Sequence, residues 1–196
     1  MPEHTSYDHK IDLKEDFEPK RSKIYWIDPV NEETFNKFID ENLQKGYIRK
    51  LLKDAPQASG FFFVPKKDRR MRPCQDYCYL NDYTIKNPYP LPRIDELINS
   101  LSGMKLFIKM DIRWEYNNVR IREGDEWNAA FICKRGIFEP TVIFFGLTNS
   151  PVTFQRMMDT IFAIPIAQGW LKIYMDDLLI ANKGDRKDII ERHYWY

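Results

Sequence analysis

Two adjacent carboxylates, Asp176 and Asp177, interrupt an apolar stretch that runs Leu171-Lys172-Ile173-Tyr174-Met175 before them and Leu178-Leu179-Ile180-Ala181 after them. Short runs rich in Ile, Leu and Tyr around a polar dipeptide predict a buried β-hairpin with the acids at its tight turn. Two ionised carboxylates about 4 Å apart repel by roughly 4 kcal/mol at an effective dielectric of about 20, and each is costly to desolvate. A cation is therefore expected beside them. Hard oxygen ligands favour a divalent metal, which can bridge to substrate phosphates. A third acid closes a similar apolar run, Leu106-Phe107-Ile108-Lys109-Met110-Asp111. If that strand lies beside the hairpin, Asp111, Asp176 and Asp177 form one cluster able to hold two metal ions about 4 Å apart.

A second chemical feature is basic. Five of the seven residues 66–72 are Lys or Arg, between a predicted strand at 60–64 and its return partner at 71–77. A cationic hairpin tip can grip a triphosphate or a nucleic-acid backbone, because charge-assisted contacts to phosphate are the strong ones. A solvated charged turn is the other reading of the same residues. Gln155 falls off the apolar stripe of its helix and is expected to face a ligand or solvent.

The elements that must position these groups follow from periodicity. Phe35, Phe38, Ile39 and Leu43 predict an amphipathic helix within 31–52, with Glu32 and Glu33 in its first turn and Gly46 as the stop. Asn87-Pro88-Tyr89-Pro90-Leu91-Pro92 must run extended into a short helix with Ile94, Leu97, Ile98 and Leu101 inward and Gly103 at its end. Residues 117–143 read as strands broken at Gly124 and Gly136. Ser150-Pro151 opens a helix with Ser150 as cap and with Phe154, Met157, Met158, Ile161 and Phe162 inward, and Pro165 is expected to end it. Residues 185–194 form a charged helix candidate. Residues 1–28 lack sustained periodicity and read as a surface arm.

Composition is compatible with this. The chain has 196 residues, 43% hydrophobic and 30% charged, with net charge +1, which supports a packed globular domain and requires any polyanion-binding patch to be local. No run of about 18 apolar residues and no secretory leader is seen, so an intracellular protein without a membrane span is expected. Cys74, Cys78 and Cys133 lack metal-like spacing and are expected to be reduced thiols.

Taken in order, several segments resemble the reverse transcriptase of gypsy-type LTR retrotransposons. They are His9-Lys10-Ile11-Asp12-Leu13, Lys67-Asp68 through Arg72, Asp76-Tyr77 with Leu80-Asn81, and Thr84-Ile85-Lys86-Asn87 followed by Tyr89-Pro90-Leu91-Pro92-Arg93-Ile94. Lys109-Met110-Asp111, Phe145-Gly146-Leu147-Thr148-Asn149-Ser150-Pro151 with Thr153-Phe154-Gln155, and Tyr174-Met175-Asp176-Asp177 complete the set. The resemblance implies an α+β fingers-and-palm fold, with an antiparallel palm sheet packed on helices. After the arm or linker at 1–28, it implies a polymerase domain at 29–196, with fingers at about 29–86 and 119–159 and palm at about 87–118 and 160–196. It also implies RNA-directed DNA polymerisation, with Asp111, Asp176 and Asp177 carrying two Mg²⁺ ions, for which Mn²⁺ can substitute. Lys66 and Arg72 are expected on the triphosphate, Gln155 in the nucleotide pocket and Met175 near the primer terminus. Tyr116 is expected against the ribose 2′-position, which disfavours RNA synthesis. Implied partners are an RNA or DNA template with primer, deoxynucleoside triphosphates, and other polyprotein segments such as protease, RNase H and integrase. The implied location is the cytoplasm, in virus-like particles.

The sequence also departs from the family. Glu115 stands where the family has Gly, beside Tyr116, and its charge is expected to repel a triphosphate. Arg69 and Arg70 replace a small turn, and Pro73 and Gln75 fall where strand residues are expected. The thumb region of the family is not within these residues, so weak or absent polymerisation, as from a truncated or decayed copy, is expected. The alternative is a non-catalytic nucleic-acid-binding or scaffold remnant of a retroelement.

Overall fold

Helix α1 (Glu32–Gln44) starts from a 3₁₀ turn at Pro29–Asn31, where the Asp28 side chain accepts the Val30 N–H at 3.0 Å. Its acidic first turn complements the helix dipole. Gly46, at φ +72°, ends it in the left-handed conformation that glycine adopts without steric cost. Phe35 and Ile39 are buried on its inner face. The computed structural model describes residues 1–51, 55–65, 71–113 and 115–184, with only the backbone at Glu115. The chain divides into two units, Met1–Lys86 with Tyr116–Ser150, and Asn87–Glu115 with Pro151–Tyr196.

The first unit holds a five-stranded mixed sheet in the order β1-β6-β5-β2-β3, built from β1 (Ile48–Lys50), β2 (Ser59–Pro65), β3 (Met71–Asp76), β5 (Phe131–Cys133) and β6 (Gly136–Pro140). β2 runs parallel to β5, and the other pairs are antiparallel. Pro73 lies on β3, at the edge of the sheet, where a missing N–H is tolerated. Phe61 centres the core, its ring 5.3 Å from Phe35, 5.4 Å from Phe63 and 5.9 Å from Phe131. Helix α2 (Cys78–Tyr83) follows β3.

Residues 1–28, expected as a surface arm, are instead stitched into this unit. Single bridges join His9 to Ile121, Leu13 to Thr84 and Arg21 to Ala58, and His9 and Ile11 are buried. Isolated bridges of this kind leave no side-chain periodicity to read. Between 117 and 143 only β5 and β6 are strands; Glu126–Ala129 is a 3₁₀ turn. Cys74, Cys78 and Cys133 are free.

The second unit carries a three-stranded antiparallel sheet, order β4-β8-β7, from β4 (Leu106–Asp111), β7 (Leu171–Tyr174) and β8 (Asp177–Asn182). Burial along β4 alternates, with Phe107, Lys109 and Asp111 exposed and the residues between them half-buried. Leu171, Ile173, Leu178 and Ile180 are buried on the strands beside it, as are Phe154, Met157 and Met158 on α4 (Ser150–Ile161).

Three expectations are corrected here. Ser150 lies inside α4, and its buried hydroxyl makes no hydrogen bond among the described residues, so it is not a side-chain cap. Pro165 does not end α4. It sits buried in the first turn of α5 (Ala163–Ala167), where a missing N–H costs no helix bond. In α3 (Ile94–Asn99), Ile94 and Ile98 are 55% and 62% exposed rather than inward. With Leu97 and Leu101 they rim an apolar groove over the open face of the sheet, beside Lys109, Tyr174 and Leu179. Among the described residues, no helix is long and apolar enough to cross a membrane. The helix expected at 185–194 lies outside the described residues.

Candidate active site

Asp111 and Asp177 are direct cross-strand partners at the ends of β4 and β8. In an antiparallel pair this puts both side chains on one face with Cβ atoms about 4.5–5.5 Å apart. Residues 111 and 177, far apart in sequence, are thus neighbours because six consecutive pairs, Leu106↔Asn182 through Asp111↔Asp177, fix the register. A slip of one residue would move one of the acids to the other face. Beyond the last pair, the Ile112 N–H donates to the Asp176 carbonyl at 3.0 Å, tying the end of β4 to the hairpin turn.

That turn has two central residues, Met175 and Asp176, between the paired Tyr174 and Asp177. Met175 has φ +57°, the only non-glycine at positive φ among the described residues. Two-residue hairpins demand this sign at their first central position and favour Gly, Asn or Asp there. A residue with a Cβ pays roughly 1–2 kcal/mol in such a conformation, so the turn needs external support.

Gln155 supplies it. The Met175 N–H donates to Gln155 Oε1 at 2.8 Å, and Gln155 Nε2 donates to Asp159 Oδ1 at 2.9 Å. Gln155 has no exposed surface. This corrects the expectation of a Gln facing ligand or solvent: it lies off the apolar stripe of α4, but the hairpin turn covers it and both ends of its amide are engaged. The other oxygen of Asp159 accepts the Tyr89 hydroxyl at 2.5 Å, and that carboxylate pushes the phenol up to about 12.

On the exposed face, the Lys109 ammonium lies 2.9 Å from Asp177 Oδ1. It is held above its ordinary range by hydrogen bonding and charge from Asp177 first, with further contributions from Asp111 and Asp176. As the side chains stand, no three His, Cys, Asp or Glu groups among the described residues close around a single point. The donor set nonetheless suits a divalent metal by type: hard carboxylate oxygens, those of Asp111 and Asp177 on one sheet face, with a side-chain cation already on Asp177.

The first unit assembles a different group. Tyr116, half-buried, packs edge-on against Phe145 with centroids 5.0 Å apart at 88°. The Arg72 guanidinium lies over the same ring, 5.4 Å from its centroid, a cation–π arrangement. Phe145, 48% exposed, thus joins two residues singled out in the sequence and was itself passed over. Its loop is held by Asn81, which donates from Nδ2 to the Gly146 carbonyl at 2.7 Å and accepts the Thr148 N–H at 2.9 Å. Gly146 has φ +105°, and a Cβ there would meet the Tyr77 ring at 3.4 Å. Lys66 and its neighbours to Arg70, and the side chain of Glu115, lie outside the described residues.

Lys109 and Tyr89 stand in segments that carry the resemblance, but the sequence assigns no role to them or to Asp159. A Gln and an Asp four residues apart on a helix are a known stabilising pair, and this spacing was the available signal for Asp159. Nothing local points to Tyr89.

Comparison with known proteins gives three findings. Residues 64–194 match the family model described as reverse transcriptase (RNA-dependent DNA polymerase). The Tf2-3 polyprotein of a Schizosaccharomyces pombe transposon is 36% identical over 165 residues, and the Tf2-7 polyprotein is 35% identical over the same length. Each match covers 84% of this chain and 12% of the polyprotein. The chain therefore spans about one-eighth of these relatives. Among solved structures, prototype foamy virus protease-reverse transcriptase matches at TM-score 0.78 and 21% identity, covering 95% of this chain and 24% of that one. A foamy viral protease-reverse transcriptase in complex with double-stranded DNA matches at TM-score 0.81 and 19% identity, covering 95% of this chain and 32% of the other. These likenesses establish the α+β fold with a sheet packed on helices.

Proposed function

Because the chain belongs to the reverse transcriptase family, as part of a polyprotein of the LTR-retrotransposon kind, we propose that it carries the fingers and palm of an RNA-directed DNA polymerase. The reaction is template-directed transfer of deoxynucleotides to a primer on RNA or DNA. The observation that carries this reading is the cross-strand pairing of Asp111 with Asp177, with Asp176 tied to the end of β4 through the Ile112 N–H. Carboxylates brought together from the ends of two paired strands can hold the cations that a phosphoryl transfer needs to neutralise its negative charge.

Reverse transcriptases use divalent metal ions, and here Asp111, Asp176 and Asp177 are the residues to hold two Mg²⁺. Held there, Mg²⁺ or Mn²⁺ would supply positive charge to the attacking oxygen and the leaving group of the transfer. Arg72, with Lys66, neutralises the triphosphate through charge-assisted hydrogen bonds. Phe145 restrains both the guanidinium and the Tyr116 ring, and Tyr116 excludes a ribose 2′-hydroxyl. Met175 lies beside the primer terminus, on a turn whose backbone Gln155 fixes. Gln155 is thereby a positioning residue rather than a pocket wall. The natural setting is a longer polyprotein with protease, RNase H and integrase segments, acting in the cytoplasm within virus-like particles.

The test pairs two measurements on the full chain: Mn²⁺ binding followed by water-proton relaxation, and primer extension with Mg²⁺ on poly-rA primed with oligo-dT. Mn²⁺ binding is expected, with at most weak template-dependent incorporation, as the expectation from Glu115 and the thumb region requires, and both are lost in Asp111→Asn and Asp176→Asn. Mn²⁺ binding that persists unchanged in both variants would overturn the assignment of the site.

A further inference from the structure

The hydrogen bonds around Gln155 have a direction. The Met175 N–H donates to Gln155 Oε1, Gln155 Nε2 donates to Asp159 Oδ1, and the Tyr89 hydroxyl donates to Asp159 Oδ2, at 2.8, 2.9 and 2.5 Å. Both oxygens of Asp159 thus receive donors. An amide side chain can be held in either of two orientations, and what lies at each end decides which. With a carboxylate at one end and a backbone N–H at the other, the reversed amide would face oxygen against oxygen and N–H against N–H. Asp159 therefore dictates that Gln155 presents its oxygen to Met175.

Tyr89 in turn dictates where Asp159 stands. Its ring is set by the proline-rich stretch, in which the Tyr89 N–H donates to Asn87 Oδ1 at 3.0 Å, an Asx turn that fixes the chain direction. Its hydroxyl closes the free side of the carboxylate. The segment 87–92 is thereby coupled, through two side chains of α4, to the single non-glycine turn residue at positive φ among the described residues. Asp176 and Asp177 follow directly on that residue.

We infer that Tyr89 and Asp159 are positioning residues that act through Gln155 to hold the Met175-Asp176 turn in the conformation that presents the hairpin carboxylates. The inference rests on the reading of those carboxylates as the polymerase centre, although the relay itself is a statement about the turn. A relay differs from three independent contacts in being non-additive: once Gln155 is removed, losing Asp159 should have little further effect on the turn.

The experiment is amide hydrogen exchange at Met175, with primer extension and thermal unfolding on the same full-chain samples. Gln155→Met, which keeps length and volume, is expected to speed Met175 exchange roughly three- to tenfold, as for loss of one hydrogen bond. Asp159→Ala moves it in the same direction, Asp159→Asn restores part of the protection because its oxygen can still accept from Gln155, and Tyr89→Phe gives a smaller rise. The double variant Gln155→Met with Asp159→Ala matches Gln155→Met alone. In primer extension kcat falls and KM for the deoxynucleotide holds, since the turn and not the triphosphate grip has changed. Met175 exchange that is indifferent to Asp159→Ala, or additive in the double variant, overturns the relay. If Gln155→Met does not fold, Tyr89→Phe, at a half-buried position, carries the test by itself: unchanged Met175 exchange there refutes the coupling. Should the natural chain fail to bind Mn²⁺ while Met175 exchange follows the expected order, the reading of the carboxylates as the polymerase centre fails and the relay stands.

Discussion

Acid should loosen the first unit through His9. This imidazole is 1% exposed, and burial lowers it from an ordinary value of 6.5 to about 4, with Asp12 offsetting part of the effect. The folded state therefore favours the neutral ring. The resulting stability is fully present above pH 6.5 and is lost as pH falls through about 4. From these two values, neutral His9 forfeits about 2.5 kcal/mol by pH 4.5, on the order of a quarter to a half of a small domain's stability. The loss should appear where His9 is anchored: its N–H donates to the Arg120 carbonyl at 2.8 Å, and its carbonyl accepts the Arg122 N–H at 2.9 Å. The assay is hydrogen exchange at the Arg122 amide together with urea unfolding, at pH 7.5 and 4.5, for the natural chain and for His9→Gln. Other groups titrate in both proteins, so the difference between them isolates the imidazole. The natural chain is expected to lose about 2–3 kcal/mol more than the variant over that interval. Equal losses would show that residues 1–28 are not an integral part of the unit.

Two further outcomes concern the site. Lys109→Met removes the ammonium that now sits on Asp177, so Mn²⁺ titration should give a tighter site than in the natural chain; weaker binding would mean that Lys109 supports the carboxylates rather than competing for them. Phe145→Ala removes the ring that packs edge-on against Tyr116. Such a pair is worth about 0.5–1.5 kcal/mol beyond its buried area, so preference for deoxy- over ribonucleotides in single-turnover incorporation should fall by roughly two- to tenfold; unchanged preference would detach Phe145 from the selection of sugar.

What the sequence disclosed and what it withheld divide along a physical line. The runs around Asp111 and Asp176-Asp177 read as strands because short apolar stretches rich in Ile, Leu and Tyr are a local property, and their common ending in acids suggests that they meet. The pairing Asp111↔Asp177 agrees with that suggestion. The helix 94–99 was readable as amphipathic, but periodicity says which side of a helix is apolar and not whether anything covers that side; Ile94 and Ile98 remain open to solvent. Gln155 was misread for the converse reason. Its place off the stripe of α4 says surface, yet the turn of a hairpin twenty residues later closes over it, and burial of that origin is tertiary. The N-terminal stretch was missed because bridges of one residue have no period.

Met175 marks the point at which the chain departs from its own local rules, with a bulky side chain where a two-residue turn would ordinarily take Gly, Asn or Asp. Departures of that kind persist where the surroundings over-determine the conformation, and they gather at functional positions. Here the surroundings are identifiable: a backbone N–H, an amide, a carboxylate and a phenol in series. A glycine at 175 would relax the turn without help and make that series dispensable. The methionine makes the conformation of the acid-bearing turn depend on α4 and on the segment 87–92, so the strain at Met175 adds to the β4–β8 register a second link between the carboxylates and the rest of the second unit.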